Sequence, residues 1–166
     1  MGREKVGLAS GVLVLVLFVT MFGAVFNIPA VKGGSGTIYI SASGTIDPQT
    51  APSSSADNIT YTFEDNIYDP IVVERNNIII DGDGYALTGQ QVWKSKGIDI
   101  TGRTNVTIRN TRITAFYYGI FLNSSTNNVI SENDVSNNGW YDHGFGIYLI
   151  SSPDNVILDN DVTHDW

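Results

Sequence analysis

The hydrophobic residues of the second half of the chain fall into short runs that recur in a fixed order. A Gly-Ile-x-Ile/Leu element begins at Gly97, returns 22 residues later at Gly119, and returns again 27 residues later at Gly146. Each element is followed by an Asn-rich turn with a second apolar pair. A third run then follows, whose central residues are Ile113, Val135 and Val162. A period of this length predicts a repeat architecture.

Each repeat contains three runs that are rich in Val, Ile, Thr and Tyr and are separated by Asn, Ser, Asp and Gly. Such runs are too short for helices and suit a pleated, half-buried surface. One coil of three strands cannot bury its apolar side, whereas stacked coils share a continuous core. The pattern therefore predicts an all-β fold, a parallel β-solenoid in which each coil advances by one strand spacing of about 4.8 Å.

Asparagine recurs at one turn of the repeat. Asn133 and Asn160 occupy nearly the same place in successive repeats, and Asn110 is shifted by one residue. Asparagine tolerates the left-handed backbone of a sharp turn, and stacked side-chain amides can bond from coil to coil. We therefore predict that these residues form a corner of the solenoid.

Several of these elements resemble the repeats of a known family. Asn77–Gly82, which reads Asn-Ile-Ile-Ile-Asp-Gly, and Asn128–Asn133, which reads Asn-Val-Ile-Ser-Glu-Asn, are similar to right-handed parallel β-helix repeats. The Gly-Ile-x-Leu elements strengthen the likeness to NosD-type periplasmic proteins and to the wider carbohydrate-binding and sugar-hydrolase β-helix proteins. The resemblance covers roughly Thr37 to Trp166 and implies a right-handed parallel β-helix. It leaves the activity open, because many chemistries share this scaffold.

The amino terminus has the pattern of an export signal. Arg3 and Lys5 precede an uncharged, strongly apolar run from Val6 to Val31. Such a run is typical of a secretory signal and is also long enough to span a bilayer core of about 30 Å. We predict that residues 1–32 are a signal peptide or a signal anchor, and that the protein is extracellular, at the cell surface or periplasmic. If the run is retained, it attaches the protein to the membrane with its basic start inside.

The rest of the chain divides where the regular repeats begin. Residues 33–76 are predicted to form an N-terminal cap and a first coil, which covers the open strand edges of the stack. Within them, Asp47 to Asp57 has the composition of a loop. Residues 77–166 are predicted to be the β-helix repeats. Because the sequence stops four residues after Val162, in the middle of a coil, we expect it to be the front part of a longer solenoid.

Composition argues against several partners. The net charge of −8 argues against nucleic acid, because a phosphate-binding surface needs clustered Lys and Arg. The absence of cysteine removes disulfides and thiolate metal sites. The copper role that the NosD resemblance implies would need imidazole or thioether ligands, and the exported part offers only His143 and His164. The stretch Asp81–Gly84 lacks the closing Glu of a hand-type calcium loop. We therefore predict no metal and no cofactor.

A polysaccharide lyase or glycoside hydrolase on this scaffold would need paired carboxylates, or a carboxylate with a basic side chain. Asp134 and Asp161 are equivalent in successive repeats, so they are predicted to stack, but repetition alone produces such pairs. Arg109 and Arg112 are the nearby basic residues, and no enzyme signature surrounds them. Catalytic residues therefore stay unassigned. The candidate carboxylates are Glu132, Asp134, Asp142, Asp159, Asp161 and Asp165.

The repeats are irregular at one corner. From the third run to the next Gly-Ile the spacing is 6 residues from Ile113 to Gly119, but 12 from Tyr85 to Gly97 and 11 from Val135 to Gly146. The two insertions and the short corner between them carry many aromatic residues beside Asp and His. Rings for stacking and polar groups for hydroxyls suit a sugar. The predicted glycan-binding residues are Trp93, Tyr117, Tyr118, Trp140, Tyr141, Asp142 and His143.

These features lead to two alternatives for the function. The first is an exported, non-enzymatic module that binds a polysaccharide or another glycan, or acts as a scaffold in the cell envelope. The second is a polysaccharide lyase or glycoside hydrolase that acts on an extended sugar chain. The missing basic cluster favours the first. A structural alternative for the aromatic residues is that they seal the corner of a thin core.

Overall fold

The computed structural model describes residues 36–139 and 143–165, which contain sixteen strands and no helix. The all-β prediction is therefore confirmed. The predicted leader, residues 1–32, lies outside the described residues. Among the described residues no helix is long and apolar enough to cross a membrane.

The strands form three sheets, called A, B and C, and from Ile78 onward the chain passes from sheet B to sheet C to sheet A in each coil. Sheet A contains β14 (Phe145–Ile150), β11 (Tyr118–Asn123), β8 (Lys96–Asp99), β5 (Ile71–Val73), β1 (Ile38–Ile40) and β2 (Ile46–Asp47), in spatial order. Sheet B contains β15 (Val156–Leu158), β12 (Val129–Ser131), β9 (Val106–Arg109), β6 (Ile78–Asp81), β4 (Thr60–Phe63) and β3 (Ser53–Ser54). Sheet C contains β16 (Asp161–Thr163), β13 (Asp134–Ser136), β10 (Arg112–Thr114) and β7 (Ala86–Thr88).

The register of the strands confirms the repeat seen in the sequence. In sheet A, Ile120 pairs in parallel with Ile98 on one side and with Ile147 on the other. In sheet C, Val135 pairs with Ile113 and with Val162. Each apolar run therefore lies directly above its counterpart in the coil before, as a parallel β-helix requires.

Two short antiparallel strands lie at the outer edges of the first coil. β2 pairs with β1, and β3 pairs with β4. The sequence indicated only a loop over residues 47–57, whereas Ser53 and Ser54 form β3 within it. The reason is that the edges of β1 and β4 present unpaired backbone groups, and any nearby extended segment can bond to them whatever its side chains are.

The core consists of columns of inward-facing, mostly aliphatic side chains from the three sheets. Ile80, Ile108 and Ile130 stack in sheet B and are completely buried. The next residue of this column, Ile157, is 46% exposed, because no further described strand covers it. Burial of these columns, at about 25 cal/mol per Å² of apolar surface, is the main force that holds the coils together.

At the corner predicted from the recurring asparagines, two neighbouring residues share the predicted roles. One makes the amide contact between coils, and the other adopts the left-handed backbone. The side-chain amide of Asn133 donates to that of Asn160 at 2.9 Å, which confirms the predicted amide stacking. The left-handed backbone lies one residue earlier, at Glu132 (φ 57°) and Asp159 (φ 53°). The prediction that Asn133 and Asn160 adopt a left-handed backbone was therefore wrong. Asn110 does adopt it (φ 52°), since its one-residue shift places it at the bend and not in the stack.

The same division recurs at two other corners, each with a polar side chain that faces inward. The amide Oδ1 of Asn128 accepts a hydrogen bond from the backbone of Val106 in the coil before, at 2.8 Å. Asn128 in turn bonds to Asn155, and Asn138 occupies the corresponding place at the corner between sheets C and A. These contacts satisfy backbone groups that the bends leave without sheet partners.

Candidate functional site

Both sequence insertions lie at the corner that joins sheet C to sheet A. The described residues that connect the two sheets there are 89–95, 115–117, and 137–139 with 143–144, in successive coils. The residue that pairs with Ile113 in the coil before is Leu87 and not Tyr85, so the spacing to Gly97 is 10 residues and the first insertion is shorter than the sequence indicated. The reason is that Tyr85 belongs to the preceding corner, where its amide bonds to the carbonyl of Gly82.

Three of the residues predicted to bind glycan lie together at this corner. The ring of Trp93, which is 53% exposed, meets Tyr117 edge-on with 4.7 Å between ring centroids. Tyr117 meets Tyr118 in the same way, at 4.6 Å. Tyr117 itself is buried, at 5% exposure. It therefore supports the exposed Trp93 and forms part of the corner packing that the structural alternative expected.

The remaining predicted residues belong to the second insertion. Trp140, Tyr141 and Asp142 lie outside the described residues. His143 is exposed at the end of the same loop, just before β14.

Sequence reasoning missed three aromatic residues that extend this cluster across the outer face of sheet A. Tyr148 stacks on Phe145 at 5.0 Å between centroids, with 24° between the ring planes. It also stacks on Tyr118 at 5.0 Å and on Phe121 at 5.7 Å. Phe145 is 48% exposed. We call this continuous cluster the aromatic platform; its members are Trp93, Tyr117, Tyr118, Phe121, Phe145 and Tyr148.

The platform follows from strand geometry. In β11, Gly119 and Ile120 are buried, whereas Tyr118 and Phe121 on either side of them are partly exposed. The parallel register then places Phe121 beside Tyr148 in the next coil. The signal was present in the sequence, because the variable position of Gly-Ile-x-Leu and the residue before its glycine both face outward. Reading those positions from repeat to repeat gives the rings on this face.

A charged pair borders the platform one coil earlier. The ammonium group of Lys96 lies 3.9 Å from the centroid of the Phe121 ring and 2.6 Å from a carboxylate oxygen of Asp99. A cation over a ring face is attracted by the ring quadrupole, so Lys96 is held at a fixed place by both groups. The platform therefore ends in a polar rim, in which Asp99 also accepts hydrogen bonds from the backbone and the hydroxyl of Thr101.

The hydroxyl group of Tyr118 stays protonated well above neutral pH. Burial against the neighbouring rings raises its pKa, and the nearby Tyr117 and Tyr148 raise it further. A protonated hydroxyl can donate a hydrogen bond as well as accept one. Tyr118 therefore presents the platform with a polar edge.

The corner between sheets B and C carries most of the candidate carboxylates. A cleft of about 320 Å³ there is lined by Asp83, Arg112, Glu132 and Asp134 among others. Arg112 donates to Asp134 at 3.2 Å, and Asp134 pairs in register with Asp161, as the repeat predicted. The pair lies on the exposed outer face of sheet C.

The Asp81–Gly84 stretch is a corner whose carboxylate has protein partners. Asp81 accepts hydrogen bonds from Arg109 at 2.8 Å, from Asn110 at 3.1 Å and from the backbone of Asp83 at 3.0 Å. Burial opposes the charge of Asp81, but these bonds together hold its pKa below the ordinary value. Across residues 36–139 and 143–165, no group of three or more His, Asp or Glu side chains is arranged to hold a metal ion.

Comparison with known proteins gives one match. The family described as right-handed beta helix region matches residues 36–165. No curated protein and no solved structure matches the chain. The match does not separate NosD-type proteins from other β-helix proteins, so that finer relation stays a prediction. Because it covers most of the sequence and agrees with the three parallel sheets, the chain belongs to the right-handed β-helix family.

Proposed function

We propose that this protein is an exported module that binds a glycan on the outer face of sheet A. The observation that carries the proposal is the aromatic platform, a continuous set of rings in stacked and edge-on contact on the outer face of a parallel sheet. Each coil adds its rings one strand spacing from those of the coil before. A surface of this kind suits an extended chain of sugar rings that runs along the solenoid axis.

The chemistry of the platform matches that of a sugar. The faces of pyranose rings carry C–H groups that pack on aromatic rings, while their hydroxyls need hydrogen-bond partners. Phe145 and Trp93 offer exposed ring surface, and Lys96 with Asp99 offers polar groups at the rim. Large exposed rings on a β-sheet otherwise add little to folding and increase the risk of aggregation. These features support a binding role for the platform.

The charge of the protein favours a neutral glycan. With a net charge of −8, an anionic polysaccharide would be repelled at long range. Lys96, the cation beside the rings, is already paired with Asp99. The proposal therefore includes a neutral polysaccharide as the partner. The apolar run from Val6 to Val31, preceded by Arg3 and Lys5, supports a location outside the cytoplasmic membrane, where such polymers occur.

A binding panel with matched variants tests this proposal. We expect retention by at least one neutral polysaccharide in affinity electrophoresis, and a loss of about tenfold in affinity for Phe145→Ala and for Trp93→Ala, since an aromatic stacking contact contributes about 1 kcal/mol or more. Tyr85→Ala is the matched control, because Tyr85 is an exposed tyrosine away from sheet A. Equal binding by all variants, or no binding to any polysaccharide, would show the proposal to be wrong.

A second candidate is a lyase or hydrolase at the corner between sheets B and C. The observation in its favour is the cleft that holds Glu132 and Asp134 beside Arg112. Incubation with the same polysaccharides should then release reducing ends or unsaturated products, and Asp134→Asn should abolish the release. If the polymers bind and stay intact, the binding module is the better description.

A further inference from the structure

A cleft of about 290 Å³ opens at the corner between sheets C and A, next to the aromatic platform. It lies between two loops of different length. The shorter loop contributes Tyr68 and Asp69, and the first insertion contributes Gln90, Val92 and Ser95. The insertion, which adds almost nothing to the buried core, is thus what gives the cleft its second wall.

The walls of the cleft combine an aromatic ring with polar groups. Tyr68 is 39% exposed and Val92 is 56% exposed, so both offer apolar surface to a ligand. The buried ring of Phe116 also lines the cleft. The side-chain amide of Gln90 makes no hydrogen bond to the part of the chain that the structure describes, and it can both donate and accept.

The cleft and the platform are neighbours at this corner, joined through the loop that carries Val92, Trp93 and Ser95. Ser95, which lines the cleft, accepts a hydrogen bond from the backbone of Tyr117 at 3.0 Å, and Tyr117 supports Trp93. Val92 and Trp93 are adjacent in the same loop. A polymer lying on the platform therefore meets the cleft where sheet A turns into the corner.

We infer that this cleft is a subsite for a single sugar ring of a neutral glycan, at one end of the chain that lies on the platform. The inference rests on the proposed function, which supplies the ligand class. The volume is at the lower limit of small-ligand pockets, which begin at about 300 Å³, so it suits one ring and excludes a chain that continues through it. Tyr68 would stack on the ring, while Gln90 and Ser95 would contact its hydroxyls. The subsite would give the bound chain a direction.

Nuclear magnetic resonance with monosaccharides as probes tests the subsite directly. Glucose, galactose, mannose and N-acetylglucosamine are titrated separately into the isotopically labelled protein. We expect at least one of them to shift the backbone amide signals of Gly89 and Ser95. In Gln90→Ala and in Tyr68→Ala the dissociation constant should rise about threefold to tenfold, which is the effect of one hydrogen bond or one stacking contact.

The matched control is Gln49→Ala, because Gln49 is an exposed glutamine in the loop that follows β2. Circular dichroism confirms that each variant keeps its sheet content. If the sugars shift only signals of Phe145 and Tyr148, the cleft is not a subsite and the platform still stands. If they shift the cleft signals while Phe145→Ala and Trp93→Ala bind polysaccharide normally, the subsite stands without the platform. If no sugar shifts any signal, the subsite inference is wrong.

Discussion

At the scale of single residues, the coil bends where one residue adopts a left-handed backbone. At the corner before sheet B this residue is Asn or Asp in every coil, with φ between 54° and 58°. These residues lose little in that conformation, because their short side chains bond locally, whereas other L-residues lose about 1–2 kcal/mol. The members of this column are Asn58, Asn77, Asn105, Asn127 and Asp154.

Ala115 also adopts a left-handed backbone, with φ 62° at the corner between sheets C and A, but its side chain cannot make a local hydrogen bond. We expect Ala115→Gly to stabilise the protein by about 0.5–1 kcal/mol, because the relief of backbone strain exceeds the entropy that a glycine costs. The control is Ala86→Gly in β7, where the same change should destabilise by a similar amount. Urea denaturation followed by circular dichroism measures both, and effects of the same sign would contradict the explanation.

Asp165 lies in a column of inward-facing polar side chains that bond from coil to coil, here called the polar ladder. The equivalent residue in the preceding coil is Asn138, whose side chain is an amide. Oδ1 of Asp165 accepts a hydrogen bond from the backbone of Asn138 at 2.6 Å, as the side chain of Asn138 does from Phe116. The amide of Asn138 also donates to the carbonyl of Ile113, whereas Oδ2 of Asp165 is buried and has no partner among the described atoms. A carboxylate cannot donate, so one bond of the ladder is missing.

Asp165→Asn should therefore raise the free energy of unfolding at pH 7 by about 1 kcal/mol. The new side-chain amide can donate a hydrogen bond to the preceding coil, as the amide of Asn138 does. Burial raises the pKa of Asp165 above its ordinary value of 3.8. A raised pKa means that the folded state binds the proton more tightly. In the wild-type protein, the stabilisation that protonated Asp165 gives to the folded state is fully present below pH 3.8. It is lost as the pH rises through the pKa that Asp165 has in the folded state. Melting temperatures at pH 4 and pH 7 should show a larger gain at pH 7, and an equal gain at both values would exclude this cause.

At the scale of elements, the glycines at the second positions of β8 and β11 in sheet A let neighbouring coils approach closely. A β-carbon on Gly119 would lie against the carbonyl oxygen of Gly146 in the next coil and against the side chains of Val135 and Asn138. The Gly-Ile-x-Leu element is therefore a packing signature as well as a repeat marker. A larger residue would push neighbouring coils apart.

We expect Gly119→Ala to destabilise the protein by about 1–3 kcal/mol through this overpacking. Thr107→Ala is the control, because Thr107 faces outward in β9 and such changes usually stay within about 0.5 kcal/mol. Thermal unfolding by calorimetry compares the two. Similar melting temperatures for both variants would mean that the coils can separate without cost.

At the scale of the whole molecule, the net charge of −8 favours the binding of neutral over anionic polysaccharides. Contacts between rings and a neutral sugar chain carry no net charge, so raising the salt concentration from about 0.05 M to 0.5 M should leave polysaccharide affinity nearly unchanged, although it shortens the screening length several-fold. Affinity electrophoresis or isothermal titration at both concentrations measures this. A marked gain in affinity with salt would indicate an anionic polymer whose repulsion is being screened.

The repeat, the all-β class and the order of the strands were predictable from the sequence. These follow from local patterns, because apolar residues in short runs and Asn at bends have few other solutions. It also located the irregular corner and the rings of Trp93, Tyr117 and Tyr118. The sequence did not show that Asn110 adopts the left-handed backbone whereas Asn133 makes the amide contact between coils. A shift of one residue along the chain exchanges these two roles.

Which rings share a face depends on the packing of one coil on the next. Phe121 and Tyr148 are 27 residues apart, and they become neighbours through the parallel register, which depends on contacts between coils. The cleft likewise needs two loops from different coils, Tyr68 on one and Gln90 on the other. A surface or a cleft built from separate coils depends on how the loops between strands pack, and the periodic pattern of the strands carries no information about that packing.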